Sequence, residues 1–253
     1  MSPLFDLTGK VALVTGGSKG LGKSMARGLV EAGADVAISS RNETELNDAL
    51  KQVLAGTHRQ GATFVSDLSQ RSESMKLAER VIERFGKIDI LVNNAGSNIV
   101  SPIEAIKDAD WDYILELNLS SAMALTRAVV PGMKARKWGR IIHISSTFGF
   151  VSKEKRNVYS ATKSALLGMT RASSMDVGPY GITINCIAPG PFLTDLPMSL
   201  LSEPEKKAFS DHTSLGRWGQ PDELKGPVVF LASEAAAYVT GTCLVVDGGY
   251  LAK

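Results

Sequence analysis

Apolar and polar residues alternate along the chain on two length scales. Seven short apolar runs, rich in β-branched side chains, have the length and composition of β-strands. They lie at 11–14, 35–39, 62–65, 88–92, 140–145, 182–187 and 243–246. Longer stretches repeat apolar residues every three or four positions and predict helices at 20–32, 44–54, 71–85, 111–134 and 158–177. Nearly continuous apolar strands joined by helical crossovers predict an α/β, doubly wound fold, with a parallel seven-stranded sheet and helices on both faces.

This alternation runs along the whole chain without a segment typical of a domain boundary. No proline-rich or serine-rich linker, internal repeat or low-complexity stretch occurs in it. We therefore expect a single domain over residues 1–253, with two of its helices ending at Gly33 and Gly178. The segment from Pro191 to Gly219 carries three prolines and two glycines without clean periodicity, and it is predicted to be a mobile flap.

The charge balance and the two cysteines narrow the classes of partner and compartment. Twenty-eight Lys and Arg against 26 Asp and Glu leave a net charge of +2, which is too small to predict binding to nucleic acid. No apolar run approaches the roughly 18 residues of a membrane span, and the first ten residues do not resemble a signal peptide. Cys186 and Cys243 lie in apolar runs, as buried thiols in a reducing compartment do. We expect a cytoplasmic protein without membrane contacts.

A glycine-rich turn follows the first predicted strand and opens the first helix. It contains Gly16, Ser18, Lys19, Gly20, Leu21 and Gly22. Strand, turn and helix N-terminus together bring backbone N–H groups and a positive dipole end to a diphosphate, and the glycines permit close approach. A tight turn that binds nothing is the alternative, because the spacing differs from G-x-G-x-x-G. The position between strand and helix favours a dinucleotide site, and thus a Rossmann fold.

The end of the second predicted strand bears on which dinucleotide is bound. A carboxylate there pairs with the ribose 2′-OH of NAD, whereas a basic residue accommodates the 2′-phosphate of NADP. The sequence has Arg41 and no acid at this position, and Lys19 is a second cation for the same phosphate. NADP(H) is therefore favoured. NAD(H) stays open because Arg41 is also able to stack on adenine, and both cations are also compatible with solvated surface charges.

Tyr159 and Lys163 lie four residues apart within a predicted helix, so their side chains share one face. An ammonium group near a phenol favours its ionised form, which suits an acid/base catalyst. The same pair is also typical of an ordinary helix surface.

Several motifs, taken together, resemble the short-chain dehydrogenase/reductase family in order and spacing. They are Thr15–Gly22, Asn93–Gly96, Asn118, Ser146, Tyr159, Lys163, and Pro189–Gly190 with Thr194. The resemblance extends from about Leu7 to Gly249 and implies hydride transfer between a nicotinamide and a carbonyl or secondary alcohol. It implies that Tyr159 exchanges the hydroxyl proton and that Ser146 hydrogen-bonds the substrate oxygen. It further implies that Lys163 lowers the tyrosine pKa and holds the nicotinamide ribose, and that Asn118 relays protons through water.

The resemblance also implies cofactor contacts beyond the glycine-rich turn and Arg41. These are Asp67, Leu68, Asn94, Ala95, Gly96, Tyr159, Lys163, Pro189, Gly190, Phe192 and Thr194. Two assignments have structural alternatives: Asp67 as the cap of the next helix, and Asn93–Gly96 as a purely structural turn. The family resemblance and the apolar C-terminal strand suggest a homotetramer. The three histidines are scattered, so no metal site is expected.

The segment between Ser146 and Tyr159 falls, by the resemblance, at the mouth of the substrate cleft. Lys153, Lys155 and Arg156 in it are candidates for attracting a carboxylate, although a solvated loop explains them as well. We expect a small-molecule substrate, a sugar or sugar acid as in gluconate-type dehydrogenases of the family. The alternatives are a 3-oxoacyl-(acyl-carrier-protein) reductase and a dinucleotide-binding regulator without catalysis.

Overall fold

Seven parallel strands form one sheet within residues 2–252, which are the residues that the computed structural model describes, apart from the side chains of residues 196, 197 and 200. The strands are β1 (Val11–Thr15), β2 (Asp35–Ser40), β3 (Gly61–Val65), β4 (Ile90–Asn93), β5 (Gly139–Ile144), β6 (Ile182–Pro189) and β7 (Cys243–Val246). Their order across the sheet is β3-β2-β1-β4-β5-β6-β7. The order reverses between β1 and β4, and such a reversal leaves a crevice at the carboxyl ends of the strands.

Helices cover both faces of this sheet. Within the described residues they are α1 (Gly20–Glu31), α2 (Glu43–Leu54), α3 (Arg71–Phe85), α4 (Asp108–Leu115), α5 (Ser121–Arg136), α6 (Asn157–Val177), α7 (Asp195–Leu200), α8 (Glu203–His212) and α9 (Lys225–Ala232). Residues of α1, α2 and α9 pack into one buried cluster, and residues of α3 and α5 pack into another. The predicted single-domain, doubly wound α/β fold is therefore confirmed.

The central strand β1 shows how the sheet divides the core into these two layers. Ala12 and Val14 belong to the layer under α1 and α9, whereas Leu13 belongs to the layer under α3 and α5. All three side chains are fully buried. Because both faces of such a strand are covered, its sequence is continuously apolar rather than alternating.

The helix predicted at 111–134 is interrupted in the structure. It begins earlier, as α4, and a π-helical segment at Glu116–Ser120 separates α4 from α5. A π turn inserts a residue without ending the helix, so a 3.6-residue periodicity does not reveal it. The inserted turn carries Asn118, one of the predicted site residues.

Three other features differ from the predicted elements. The segment 191–219 contains α7 and α8, and Pro204 stands in the first turn of α8, where its missing N–H is tolerated. The short helix α9 escapes prediction because it is apolar nearly all round. Gly178 does follow α6, but with right-handed backbone; the left-handed glycine is Gly181, after one further 3₁₀ turn.

A buried histidine lies in the middle of the sheet. His143 on β5 is completely buried, with its Nδ1 3.1 Å from the amide nitrogen of Asn93. Burial, together with the nearby charge of Lys163, lowers the pKa of His143 from 6.5 to about 4. The unfolded chain therefore binds more protons than the folded protein between these two pH values, and stability is lost as the pH falls through this interval.

We expect the His143→Gln variant to lose this part of the acid sensitivity. Between pH 6.5 and 4.5 the wild-type free energy of unfolding falls by about 2–3 kcal/mol on account of His143 alone. Melting temperatures recorded at both pH values measure the effect. The exposed His58→Gln is the matched control and keeps the wild-type slope. Equal slopes for wild type and His143→Gln contradict the assignment.

Candidate active site

A cleft of about 400 Å³ opens at the carboxyl edge of the sheet. Its lining combines the turn after β1, the loops after β4, β5 and β6, the start of α6, and α8. Many of the sequence-predicted residues line it: Gly16, Lys19, Gly20, Leu21, Gly22, Asn94, Ala95, Gly96, Ser146, Tyr159, Lys163, Pro189, Gly190, Phe192 and Thr194. The topology thus brings together both groups of predicted residues, those expected at the cofactor and those expected at the substrate.

The glycine-rich turn forms a tight cradle at one end of the cleft. A Cβ on Gly22 would overlap the carbonyl oxygen of Gly16, and Gly16 itself has a φ of +64°. Asn94, which directly follows β4, stabilises this turn, because its Nδ2 donates to the Thr15 carbonyl at 2.8 Å. No side chain caps the first turn of α1, so its N–H groups are available to an anion.

Ser146, Tyr159 and Lys163 meet at the other end of the cleft. The Lys163 ammonium donates to the Ile144 carbonyl at 2.7 Å and lies 5.5 Å from the centre of the Tyr159 ring. Ser145 packs behind them and donates from its hydroxyl to the Lys163 carbonyl at 2.8 Å. Ser146 Oγ accepts from the Phe148 N–H at 3.1 Å. These contacts fix the three site residues on the end of β5 and the first turns of α6.

The electrostatics of this group differ from the expectation drawn from sequence. Burial raises the pKa of the Tyr159 phenol, while hydrogen bonding with Ser146 and the charge of Arg156 act to lower it. Burial also lowers the pKa of Lys163 to about 8. The charge of Arg156 thus acts on the Tyr159 pKa in the direction expected of Lys163, while the Lys163 ammonium donates to the Ile144 carbonyl.

Asn118 lies behind the cleft rather than on its surface. Its Oδ1 accepts from the Ser97 N–H at 2.9 Å, and its Nδ2 donates to the Ser97 carbonyl at 2.9 Å. The same Nδ2 donates to Thr162 Oγ1 on α6 at 3.2 Å. Asn118 therefore joins the loop after β4 to the helix that carries Tyr159 and Lys163.

Four predicted cofactor residues, Ser18, Arg41, Asp67 and Leu68, lie outside the cleft lining. Arg41 donates to the Tyr113 hydroxyl at 3.3 Å, and Lys19 at the rim pairs with Glu45 at 2.7 Å. Leu68 is 4% exposed and belongs to the hydrophobic core. Asp67 accepts from the Ser69 N–H at 3.1 Å in a local turn, but it does not cap the next helix, because α3 begins at Arg71 with Gln70 at its N-cap. Within the described residues, the hydroxyls of Ser39 and Ser40 at the end of β2 are buried without partners.

An aromatic group that sequence reasoning missed closes the cleft. The Phe209 ring of α8 lies 6.4 Å from Phe148, 5.7 Å from Trp218 and 6.0 Å from Tyr250. Phe148 in turn meets the Tyr159 ring edge-on at 6.4 Å. The missed signal is the presence of Phe209 and Trp218 in the mostly polar segment 202–220, which the fold brings together with Phe148 and Tyr250 from two other segments. We call these residues, Phe148, Phe209, Trp218 and Tyr250, the aromatic lid.

The basic loop before α6 separates into three different environments. Lys153 pairs with Glu205 of α8 at 3.3 Å, and Lys155 is exposed with a φ of +64°. Arg156 alone lines the cleft. Of the three candidates, only Arg156 thus reaches the cleft lining, because the turn at Lys155 directs neighbouring side chains to different sides of the chain.

Ser97 and Asn98 are two further residues of the cleft lining that the sequence reasoning did not identify. The Oδ1 of Asn98 is buried and has no hydrogen-bond partner among the described residues. Over residues 2–252, no group of three His, Cys, Asp or Glu side chains is placed to hold a metal ion. In the same part of the chain, no helix has both the length and the apolar character needed to cross a membrane.

Comparison with known proteins agrees with this geometry. The family model of the short chain dehydrogenases matches residues 10–205. A 2-dehydro-3-deoxy-D-gluconate 5-dehydrogenase of Pseudoalteromonas atlantica is 40% identical over 252 residues, covering 98% of each chain. A 3-oxoacyl-(acyl-carrier-protein) reductase of Pseudomonas aeruginosa is 38% identical over 244 residues, covering 96% of this chain and 98% of the relative.

Among solved structures, a gluconate 5-dehydrogenase from Burkholderia cenocepacia in complex with NADP and tartrate superimposes with a TM-score of 0.92. It is 36% identical, and the alignment covers 99% of this chain and 98% of that chain. The protein belongs to the short-chain dehydrogenase/reductase family and is an oxidoreductase.

Proposed function

We propose that the protein transfers hydride between NADP(H) and a secondary alcohol or carbonyl of a sugar acid, as a gluconate-type dehydrogenase. The observation that carries the proposal is one cleft that joins the glycine cradle to the Ser146 and Tyr159 hydroxyls. Relatives named for 2-dehydro-3-deoxy-D-gluconate and gluconate support the substrate class.

The cofactor end of the cleft fits NADP(H) in shape and charge. The cradle of Gly16 and Gly22 leaves no room for side chains, and the uncapped N-terminus of α1 provides N–H groups for a diphosphate. Lys19 pairs with Glu45, and Arg41 donates to the Tyr113 hydroxyl, and both contacts are exposed. Exposed contacts of this kind contribute little to stability, so both cations are free to bind a 2′-phosphate instead. The unpartnered hydroxyls of Ser39 and Ser40 lie at the adjoining end of β2.

At the substrate end, each site residue has a role that follows from its surroundings. When bound, NADP(H) supplies or accepts the hydride. The Tyr159 hydroxyl gives its proton to the substrate oxygen during reduction and takes it back during oxidation. Ser146 donates a hydrogen bond to the same oxygen, where negative charge grows. Lys163 holds the ribose of the nicotinamide, and Asn118 fixes the loop beside it.

The 3-oxoacyl-(acyl-carrier-protein) reductase is the second candidate function, since a relative of that name covers the chain almost as fully. An acidic carrier requires exposed basic residues near the cleft, and Lys153, the candidate nearest the aromatic lid, is already paired with Glu205. This pairing engages one of the exposed cations near the cleft that such a carrier would use.

We further propose a cytoplasmic homotetramer. The edge strand β7 leaves Val245 37% exposed, and Met175 on α6 is 74% exposed, so apolar surface is available for a partner subunit. Both cysteines are free, which suits a reducing compartment. Light scattering at micromolar concentration is expected to give four times the 27.0 kDa of one chain, and a monomer would contradict the proposal.

Tyr159→Phe tests the proposed chemistry. Loss of the proton donor is expected to lower kcat for NADPH-dependent turnover by roughly 10²–10⁴ while the Kd for NADPH stays unchanged. The matched control is Tyr238→Phe, which removes a hydroxyl from a fully exposed tyrosine and is expected to leave turnover unaltered. Turnover of Tyr159→Phe within a few-fold of wild type would contradict the proposed proton transfer by Tyr159.

Arg41→Asp tests the cofactor assignment. Replacing a charge-assisted contact by repulsion is expected to lower kcat/KM with NADPH by roughly tenfold to a hundredfold relative to NADH. Arg84→Asp makes the same charge change at an exposed position on α3 and should keep the wild-type preference. A wild-type preference for NADH would show that Lys19 and Arg41 are not phosphate ligands.

A further inference from the structure

Arg156 is a charged residue in an unusual position for a surface loop. It precedes the first turn of α6, three residues before Tyr159, and it is only 8% exposed. Its backbone is fixed on both sides, since the Ser101 N–H donates to the Lys155 carbonyl at 3.1 Å and the Ser160 N–H donates to the Arg156 carbonyl at 2.8 Å. The guanidinium therefore lines the cleft from a rigid position.

Within the described residues, this guanidinium has no hydrogen bond and no ion pair. Lys19 pairs with Glu45, and Lys163 donates to the Ile144 carbonyl, so both other cations of the cleft are engaged. The one carboxylate in the cleft lining, Asp195, is exposed, and its electrostatic effect falls on Lys19. None of its nitrogens is a fully buried atom without a partner, so they are accessible from the cleft, and an anionic ligand there would supply the partner that the described residues do not.

We propose that Arg156 binds the carboxylate of the substrate, an inference that rests on the proposed sugar-acid function and assigns it a specificity residue. A guanidinium presents a planar pair of donors that matches a carboxylate in a bidentate geometry. Arg156 lies one helical turn from Tyr159, so it holds the acid end of a short chain while a hydroxyl-bearing carbon reaches Tyr159.

The neighbouring cations provide the contrast that makes this assignment testable. Lys155 stands next to Arg156, but it is exposed and outside the cleft lining. General attraction of an anion by the basic loop would involve both residues and would weaken with salt. Direct binding requires Arg156 alone and is screened much less, because the contact is buried.

The experiment measures binding of D-gluconate to the NADPH-loaded enzyme by calorimetry. Arg156→Gln removes the guanidinium, and Lys155→Asn is the matched control, since asparagine tolerates the positive φ of position 155. We expect Arg156→Gln to raise the Kd for D-gluconate roughly tenfold to a hundredfold. Lys155→Asn is expected to stay within twofold, and the Kd for NADPH to stay unchanged in both variants.

D-Glucitol provides the neutral comparison, because it differs from D-gluconate only in having CH₂OH in place of the carboxylate. Its affinity is expected to be weak and equal in wild type and Arg156→Gln. Arg156→Lys keeps the charge but loses the planar pair of donors, and an intermediate Kd for D-gluconate is expected. The same series at 0.5 M salt separates direct binding from long-range attraction.

The outcomes distinguish this inference from the proposed function. If wild type turns over D-gluconate and Arg156→Gln binds it equally well, or if Lys155→Asn weakens binding as much, the inference is wrong and the function stands. An equal loss for D-gluconate and D-glucitol, or a lowered NADPH affinity, would show a structural role for Arg156 instead. If wild type neither binds nor turns over any hydroxy acid while it reduces a 3-oxoacyl thioester, the proposed substrate class is wrong, and this inference falls with it.

Discussion

The junction between the ends of β1 and β4 is the constraint on which the cleft depends. Thr15 Oγ1 accepts from the N–H groups of both Asn94 and Ala95, at 3.0 and 2.9 Å, and Asn94 returns its amide to the Thr15 carbonyl. These bonds hold together the two strands between which the sheet order reverses. The glycine turn is thereby pressed so closely against Asn94 and α1 that Gly16 and Gly22 have no space for a Cβ. The cradle is a consequence of this strand junction and not of glycine flexibility alone.

A second constraint comes from three basic side chains that are largely buried. Lys163, Arg156 and His143 are each less than a tenth exposed, and the described structure provides no carboxylate partner for any of them. The protein accommodates the three groups differently. His143 is neutral above a pKa of about 4, Lys163 donates to a backbone carbonyl, and Arg156 faces the cleft. Of these three side chains, only those of Lys163 and Arg156 line the cleft, so a ligand in the cleft is able to contact only these two.

The fold was predictable from sequence because the evidence for it is local and repeated. Each of the seven strands is a separate apolar run, and strands such as β1 are buried on both faces, so periodicity alone indicates their place in a parallel sheet. The glycine turn was predictable for the same reason, as a short motif between strand and helix, whereas the Tyr159 and Lys163 pair was assigned a role only through the family resemblance, because by itself it is typical of a helix surface. The interruption of the helix at Asn118 was not predictable, because a π turn preserves the helical pattern of apolar residues on both sides of it. Which of Lys153, Lys155 and Arg156 lines the cleft was not predictable from sequence either. It depends on the backbone turn at Lys155 and on Glu205, which pairs with Lys153 from 50 or more residues further along the chain.

The position of Arg156 links substrate binding to the proton transfer at Tyr159. Its charge lowers the Tyr159 pKa, against the effect of burial, so the same group that meets an anion also favours the ionised phenol. In the proposed function, a carboxylate bound to Arg156 would weaken this effect and the Tyr159 pKa would rise, which would keep the proton on the phenol until its transfer to the substrate oxygen. The negative charge that develops on that oxygen would then be stabilised by the hydrogen bond from Ser146. In the proposed function, recognition of an acidic substrate and reduction of its carbonyl would therefore draw on one arrangement of positive charge.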